Sequence, residues 1–465
     1  MNLFKKGIYW NLFRTLIERA FMFFQQIILA WYLVPEDFGF FSSISSILAI
    51  CSFFAFFGLN EIIVNRFKFI DLWEPVFNTI NYILIFLSFL IYILISIIVN
   101  GAAIEILDLI LIYGILFFTD GLKTLDQIKL NVWGNYSFMS LARLCHTFIL
   151  TLVSILLAKL NFGVLSIIIS LILASSVEFI ILRYKSKSSF NFSKSVRKVR
   201  TLLLYSIKLT GFNLSWRLIN YLDFILISYF LGDEKAGLYF MAFNLSVQAL
   251  NIFLSFLPNI IFSSNIRDQL TMSQTNDRIQ KTTLFLIIST APIFFGLFVF
   301  SEQVIFYLFN EKWDGTIPLL KILSLAMIPR VLSSQWTLIP LIKSRYSYLS
   351  RVSFYYLVLF IFLICFGINT FDLNGGVFAI LIFYLSTLLL SKNYLLKSNK
   401  YLTETILIIV YSFFSYLVFS NMIFFENDLI NMISVILLSL ILYGTSIYFT
   451  CPKTKKIFHE ILRFS

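Results

Sequence analysis

The stretch from Tyr205 to Ala242 reads YSIKLTGFNLSWRLINYLDFILISYFLGDEKAGLYFMA. It is long and apolar enough to cross a bilayer, yet it carries Lys208, Arg217 and Asp223. A charge that deep costs about 2.5–3.5 kcal/mol on insertion scales and faces a bundle interior or a wet cavity. The stretch also echoes the start of the chain. With the numbering shifted by 198, Arg19 falls on Arg217, Leu33 on Leu231, Glu36 on Glu234 and Gly39 on Gly237, and the polar Gln25 falls on Asp223. Both copies share one grammar: a polar-striped helix, a short acidic turn, a glycine, then an aromatic-rich helix. Two homologous halves are expected, each opening with a charged helix.

Composition sets the class. Of the 465 residues, 59% are hydrophobic and 13% charged, against about 45–50% and 25% in soluble domains. Apolar runs of about 20 residues recur throughout, as in polytopic helical membrane proteins. The expected fold is all-α, with about fourteen transmembrane helices in two homologous six-helix bundles plus two C-terminal helices. The expected bundles are residues 1–182 and 201–394. Between them lies a basic linker at 183–200, RYKSKSSFNFSKSVRKVR, and after them two more helices and a basic tail at 395–465. The least regular runs are the fourth, Ile104–Leu122, interrupted by Asp108 and Asp120, and the twelfth, Gly375–Ser391, which is short.

Orientation follows from the loops. With the N-terminus in the cytoplasm, only Lys159, Lys235 and Lys312 among the 36 Lys and Arg fall on the outer side. Within spans lie Arg14, Arg19, Arg143, Lys208, Arg217, Lys321 and Arg330, and the remainder is cytoplasmic. Both termini and the linker are therefore expected inside. The net charge of +12 reads as positive-inside bias and not as a nucleic-acid surface; the linker cluster also suits contact with anionic membrane lipids.

On a helical wheel, Asn11, Arg14, Thr15, Glu18, Arg19, Gln25 and Gln26 share one face of the first span. Asn213, Arg217, Asn220 and Asp223 make the matching stripe on the seventh. Mid-span cations at repeat-related positions mark a transport site, and guanidinium suits bidentate phosphate recognition. Arg19 and Arg217 are thus candidate substrate ligands, with Arg14, Lys208 and Arg330 beside them. Glu18, Asp223 and Asp120 are candidates for tempering that charge or coupling an ion. The competing expectation is helix glue: Arg14 paired with Glu18, and Arg217 with Asp223. Arg143 and Glu178, near helix ends, are expected to snorkel. Pro329, just before Arg330, is expected to kink the tenth span. The four cysteines have no metal-ligand spacing, and His146 reads as a packing residue. No HExxH, GxSxG or P-loop occurs, so no cofactor, metal or enzymatic centre is expected.

Three stretches resemble the polysaccharide transporter family, the Wzx-type O-antigen flippases of the multidrug/oligosaccharidyl-lipid/polysaccharide exporter superfamily. They are KKGIYWNLF with ILAWYLVPEDFGFFS, then DFILISYFLGDEKAGLYFMAF, then VIFYLFNEKWDGTIPLLKILSLAMIP. The likeness runs over the first ten helices and is only compositional over the last four. It implies a two-bundle fold with alternating access in a bacterial inner membrane. It implies an undecaprenyl-diphosphate-linked oligosaccharide cargo, such as an O-antigen or capsule repeat unit, and a polysaccharide polymerase and chain-length regulator as partners. Two alternatives stay open: another exporter of the superfamily, for drugs or a peptidoglycan precursor, and a membrane polysaccharide polymerase or ligase. The very short outer loops speak against the second.

Overall fold

The computed structural model describes residues 2–56, 70–101, 104–188, 191–193, 195–254, 272–342, 345–395, 399–420 and 428–451; over parts of these, including 2–13 and 201–212, it describes only the backbone. Every regular element among them is helical. In chain order they are α1 (Asn2–Tyr32), α2 (Pro35–Phe56), α3 (Ile70–Asn100), α4 (Ile104–Val132), α5 (Tyr136–Lys159), α6 (Leu165–Ser186), α7 (Val196–Leu231) and α8 (Asp233–Leu254). Then follow α9 (Met272–Val299), α10 (Ser301–Leu308), α11 (Thr316–Ser333), α12 (Leu338–Ile342), α13 (Tyr346–Leu395), α14 (Asn399–Ser420) and α15 (Asp428–Thr450). Eight described helical segments are long and apolar enough to cross a membrane. The chain is an all-α, multi-pass membrane protein, as its composition predicts.

Local chemistry sets the breaks. Pro35 opens α2, where its missing N–H costs nothing, and Asp37 accepts the Val34 N–H at 3.2 Å. Gly232 closes α7 at φ 86°, a conformation that L side chains avoid. Three expected spans differ from the observed helices. α4 runs on to Val132, well past Leu122, and carries Lys123, Asp126 and Lys129 into the helical bundle. The ninth expected span, Thr282–Phe309, is cut in two at Phe300 (φ −101°, ψ 21°). The tenth stops at Ser333, four residues beyond Pro329, and restarts at Leu338. The kink thus lies after the proline, at residues 334–337.

The chain forms two compact units. The first comprises residues 1–240 and 346–358, the second 241–345 and 359–465. In the first, α1 packs on α5, α5 on α6, and α6 on α4, while α2 packs on α3 and α7. Its apolar core joins Ile44, Ile47 and Cys51 of α2 to Tyr92 of α3, Ile110 and Tyr113 of α4, and Ile225 of α7. In the second, α9 packs on α11 and α14, and α14 on α15. The Tyr443 hydroxyl of α15 donates to the Ile288 carbonyl of α9 at 2.9 Å. α13 is two arms folded back at Phe371 and Asp372 (φ 57°). Phe360 and Phe383 face each other across the arms, centroids 4.8 Å apart.

Candidate functional site

The densest charge in the first unit lies where α1, α4, α5 and α6 meet. Arg143 of α5 donates from Nε to Glu18 of α1 at 3.0 Å, and its Nη1 lies 3.4 Å from Glu178 of α6. Glu178 also accepts from Lys123 of α4 at 2.8 Å, and Lys123 bonds Asp120 at 2.7 Å. Ser175 closes the chain, donating to Asp120 at 2.6 Å. Charges alternate along Glu18, Arg143, Glu178, Lys123 and Asp120, so each buried ion keeps a counter-ion, the condition for burial. A second layer lies nearer the linker: Lys129 to Glu74 at 2.6 Å, and Arg183 to Asp126 at 3.3 Å. The linker is docked beside it. Asn78 donates to the Asn191 carbonyl at 3.1 Å, and the Ser193 N–H donates to Thr79 at 2.8 Å.

The expected pairings change accordingly. Glu18 pairs with Arg143 and not with Arg14, because α1 packs its Glu18 face on α5. Gln25, on that same face, donates to Ser154 of α5 at 2.8 Å. Arg143 and Glu178 do not snorkel; Glu178 is buried and Arg143 bridges two carboxylates. Asp120 is an ion-pair member. His146 is buried one turn from Arg143, with its Nδ1 unpartnered.

Two guanidiniums are left over. Arg14 and Arg19 make no hydrogen bond or ion pair among the described residues, and the Arg14 Nε is buried. Arg19 is half-buried and lies in the electrostatic reach of Glu18, Arg143 and Arg14. Arg14, Arg19, Lys123 and Arg143 thus face the carboxylates of Glu18, Asp120 and Glu178, four cations against three anions. The excess positive charge sits on α1.

Arg217 is differently placed. Its Nε donates to the Ala49 carbonyl at 2.5 Å and its Nη2 to Ser52 at 3.0 Å, both on α2, while Tyr221 lies under the guanidinium at 5.9 Å. It does not pair with Asp223, which is buried and accepts a short hydrogen bond from Tyr239 of α8. In the second unit, Arg330 sits between the rings of Tyr384 at 5.1 Å and Phe243 at 5.6 Å. Ser333, on the same helix, accepts from Thr387 of α13 at 2.8 Å. The side chain of Lys208 lies outside the described residues.

Membrane-buried helices, a repeat carried by α1–α2 and α7–α8, and uncommitted interior cations define a helical membrane protein of the exporter fold. Solved structures agree on the fold. One reported as the lipid II flippase MurJ, inward closed conformation, aligns with 98% of this chain and 99% of its own, at TM-score 0.73 and 16% identity. An inward-facing multidrug resistance MATE family transporter of the MOP superfamily aligns with 80% of this chain and 92% of its own, at 0.55 and 14%. Residues 28–318, more than half of the chain, match the family described as polysaccharide biosynthesis protein, and the chain belongs to that family. Among its relatives, the teichuronic acid biosynthesis protein TuaB of Bacillus subtilis (strain 168) is 29% identical over 139 residues, 29% of each chain. The succinoglycan biosynthesis transport protein ExoT of Rhizobium meliloti (strain 1021) is 25% identical over 195 residues, 41% of this chain and 38% of its own. The matches thus span well under half the length of these relatives. The resemblance read from the opening helix and the seventh-helix stretch is borne out.

Proposed function

We propose that this protein is a flippase that moves an undecaprenyl-diphosphate-linked oligosaccharide, an O-antigen or capsule repeat unit, from the cytoplasmic to the outer leaflet by alternating access. Family membership supports a polysaccharide-precursor cargo. So do relatives that act in teichuronic acid biosynthesis and in succinoglycan biosynthesis transport. The observation that carries the reading is the pair of uncommitted guanidiniums on α1. A diphosphate head cannot cross hydrocarbon unaided, and Arg14 and Arg19 offer it forked donors inside the span. The carboxylate of Glu18 between them keeps the attraction weak enough for release. Arg217 takes the repeat-related place of Arg19. It serves the cargo only if it exchanges its α2 partners for phosphate. Arg330 and Lys208 stand further from this role. The protein resides in a bacterial inner membrane with both termini and the linker cytoplasmic, as two six-helix bundles and an added helix pair.

The test is genetic and chemical. Deleting the gene should remove surface polysaccharide while lipid-linked units accumulate inside. Arg19→Ala should reproduce that phenotype with normal membrane abundance, and Arg19→Lys should restore part of the export. Normal export in Arg19→Ala would remove that residue from the site. Labelling of single cysteines from outside should reach positions 36 and 234 and miss 194; the reverse pattern inverts the topology.

A further inference from the structure

The numbering offset of 198 has a physical counterpart at one point. A Cβ on Gly39 of α2 would lie 1.8 Å from the Asp233 carbonyl oxygen and 2.9 Å from the Gly237 nitrogen. A Cβ on Gly237 of α8 would lie 1.8 Å from the Pro35 carbonyl oxygen and 3.1 Å from the Gly39 nitrogen. Pro35 and Asp233 are themselves related by that offset and open α2 and α8. The contact is therefore reciprocal: each glycine presents its Cα to the first carbonyl of the other helix, the geometry of a weak Cα–H···O bond. The blocking atoms are all backbone, so no side chain can swing aside for a methyl group.

A second reciprocal pair shows what is special here. A Cβ on Gly367 would meet the Gly375 oxygen at 2.3 Å, and one on Gly375 the Gly367 oxygen at 2.1 Å. That pair is held by the covalent turn of α13 at Phe371 and Asp372. No such tether joins Gly39 to Gly237. Like charges also crowd the crossing. A cleft of about 410 Å³ beside it is lined by Glu36, Asp233 and Glu234 with Lys235, and Asp37 caps the same turn. Burial pushes the Asp233 carboxyl up, and the Ser228 hydroxyl bonded to it pulls it back. Backbone contact thus closes the crossing against the mutual repulsion of the Glu36, Asp233 and Glu234 carboxylates. The crossing lies at the end of α7 remote from the linker, which is the outer end in the proposed topology.

We propose that the Gly39–Gly237 crossing is a separable outer latch: it seals the molecule in the closed state and parts when cargo leaves. The transport reading above supplies only the purpose of the opening; the opening itself is measured without cargo. The reporter is Ser46→Cys, placed on α2 about 10 Å along the helix from Gly39, in a chain whose four native cysteines are alanine. Ser46 is 3% exposed in the closed state. A membrane-impermeant thiol reagent is applied to intact cells and, separately, to inverted vesicles.

Gly39→Ala and Gly237→Ala should each raise outside labelling at least ten-fold, and the double variant should add nothing, because one methyl already breaks the contact. Gly444→Ala, where a Cβ meets no atom within 4 Å, should leave the rate unchanged. Unchanged labelling in both single variants, or a gain confined to the inner face, would overturn the latch. Should the alanine variants not reach the membrane, Glu36→Cys/Lys235→Cys bridged by a short bifunctional thiosulfonate gives the converse. Bridging should drive Ser46→Cys labelling to background and reduction should restore it; labelling that ignores a completed bridge overturns the proposal. Export measured on the same bridged cells reports on the flippase reading separately. If labelling obeys the latch while no lipid-linked oligosaccharide depends on the chain, the latch stands and the cargo is wrong.

Discussion

The two compact units hide very different interiors. The first buries Glu74, Lys123, Asp126, Lys129, Glu178 and Asp223, whereas among the described residues the second buries only Glu404 of the carboxylates and ammoniums. The prominent cation of the second unit, Arg330, is met by aromatic faces. The difference teaches that depth and function are separate properties of a membrane charge. Lys123 and Glu178 are both buried and are neutralised by each other and their neighbours. They hold α4 to α6 as a frame. The cations this frame leaves out are Arg14 and Arg19 on α1, which make no hydrogen bond or ion pair among the described residues and which the proposed function assigns to the cargo. On the proposed function, a cation's spare donors, and not its distance from solvent, single it out as a candidate ligand.

The sharpest way to break this comparison is Glu178→Ala. It removes the carboxylate that Lys123 and Arg143 share and leaves each with a single counter-ion, Asp120 and Glu18; removing one partner of a buried pair costs up to roughly 3–5 kcal/mol. Membrane abundance and the melting temperature in detergent should both collapse. Lys123→Met/Glu178→Met should recover much of the loss, since an apolar pair of similar volume replaces a buried ion pair nearly neutrally. If Glu178→Ala melts like the parent protein, the ion chain is not a frame and the contrast between the units disappears.

Much of this was legible in the sequence. The apolar runs, the linker and the repeat of Arg19, Glu36 and Gly39 onto Arg217, Glu234 and Gly237 are local patterns, and the reciprocal glycine contact now gives that repeat a physical counterpart. The ion chain was not legible, and one misplaced helix end explains why. Ending the fourth span at Leu122 turned Lys123, Asp126 and Lys129 into loop residues, which are counted for topology and then set aside. Their spacing of three is a helical signal, and it continues the face that carries Asp120. Pairing also escaped the sequence, because Arg14 and Glu18 satisfy the i, i+4 rule while the stronger claim on Glu18 comes from Arg143, far along the chain. The helical wheel tells which face is polar, and tertiary packing decides which helix that face meets.

A smaller effect is expected at Arg217, whose donors hold α7 to α2. Arg217→Ala removes two charge-assisted hydrogen bonds, each worth about 1.5–3 kcal/mol in net terms, and the Ala49 carbonyl still has its helical partner. Stability should fall measurably without loss of insertion. Adding Asp223→Ala should not rescue it, because Asp223 is bonded to Tyr239 and not to Arg217. Rescue by the double variant would restore the salt-bridge reading and make the seventh helix a charge-neutral stripe. Arg330→Met ranks below this. It forfeits stacking on Tyr384 and Phe243, worth about 0.5–2 kcal/mol, and a flexible apolar side chain fills much of the same space. A shift of melting temperature as large as that of Glu178→Ala would mean that the second unit, too, depends on buried charge.

The smallest effect should come from Pro329→Ala. The proline has no N–H to give the Leu325 carbonyl, yet α11 passes through it and ends only at Ser333, with the break at residues 334–337. The Ser333 hydroxyl makes a bond to the Pro329 carbonyl at 2.9 Å, so the helix is laced where it is about to stop. Alanine restores one backbone hydrogen bond, a gain of about 0.5–1.5 kcal/mol, and removes no packing partner that Arg330 or Thr387 needs. The variant should therefore melt at or slightly above the parent temperature, with export rates within two-fold. The outcome that would reverse this is a protein that inserts and melts normally but exports several-fold more slowly. Pro329 would then be part of a moving hinge, and the aromatic second unit would contribute motion where the ionic first unit contributes the frame.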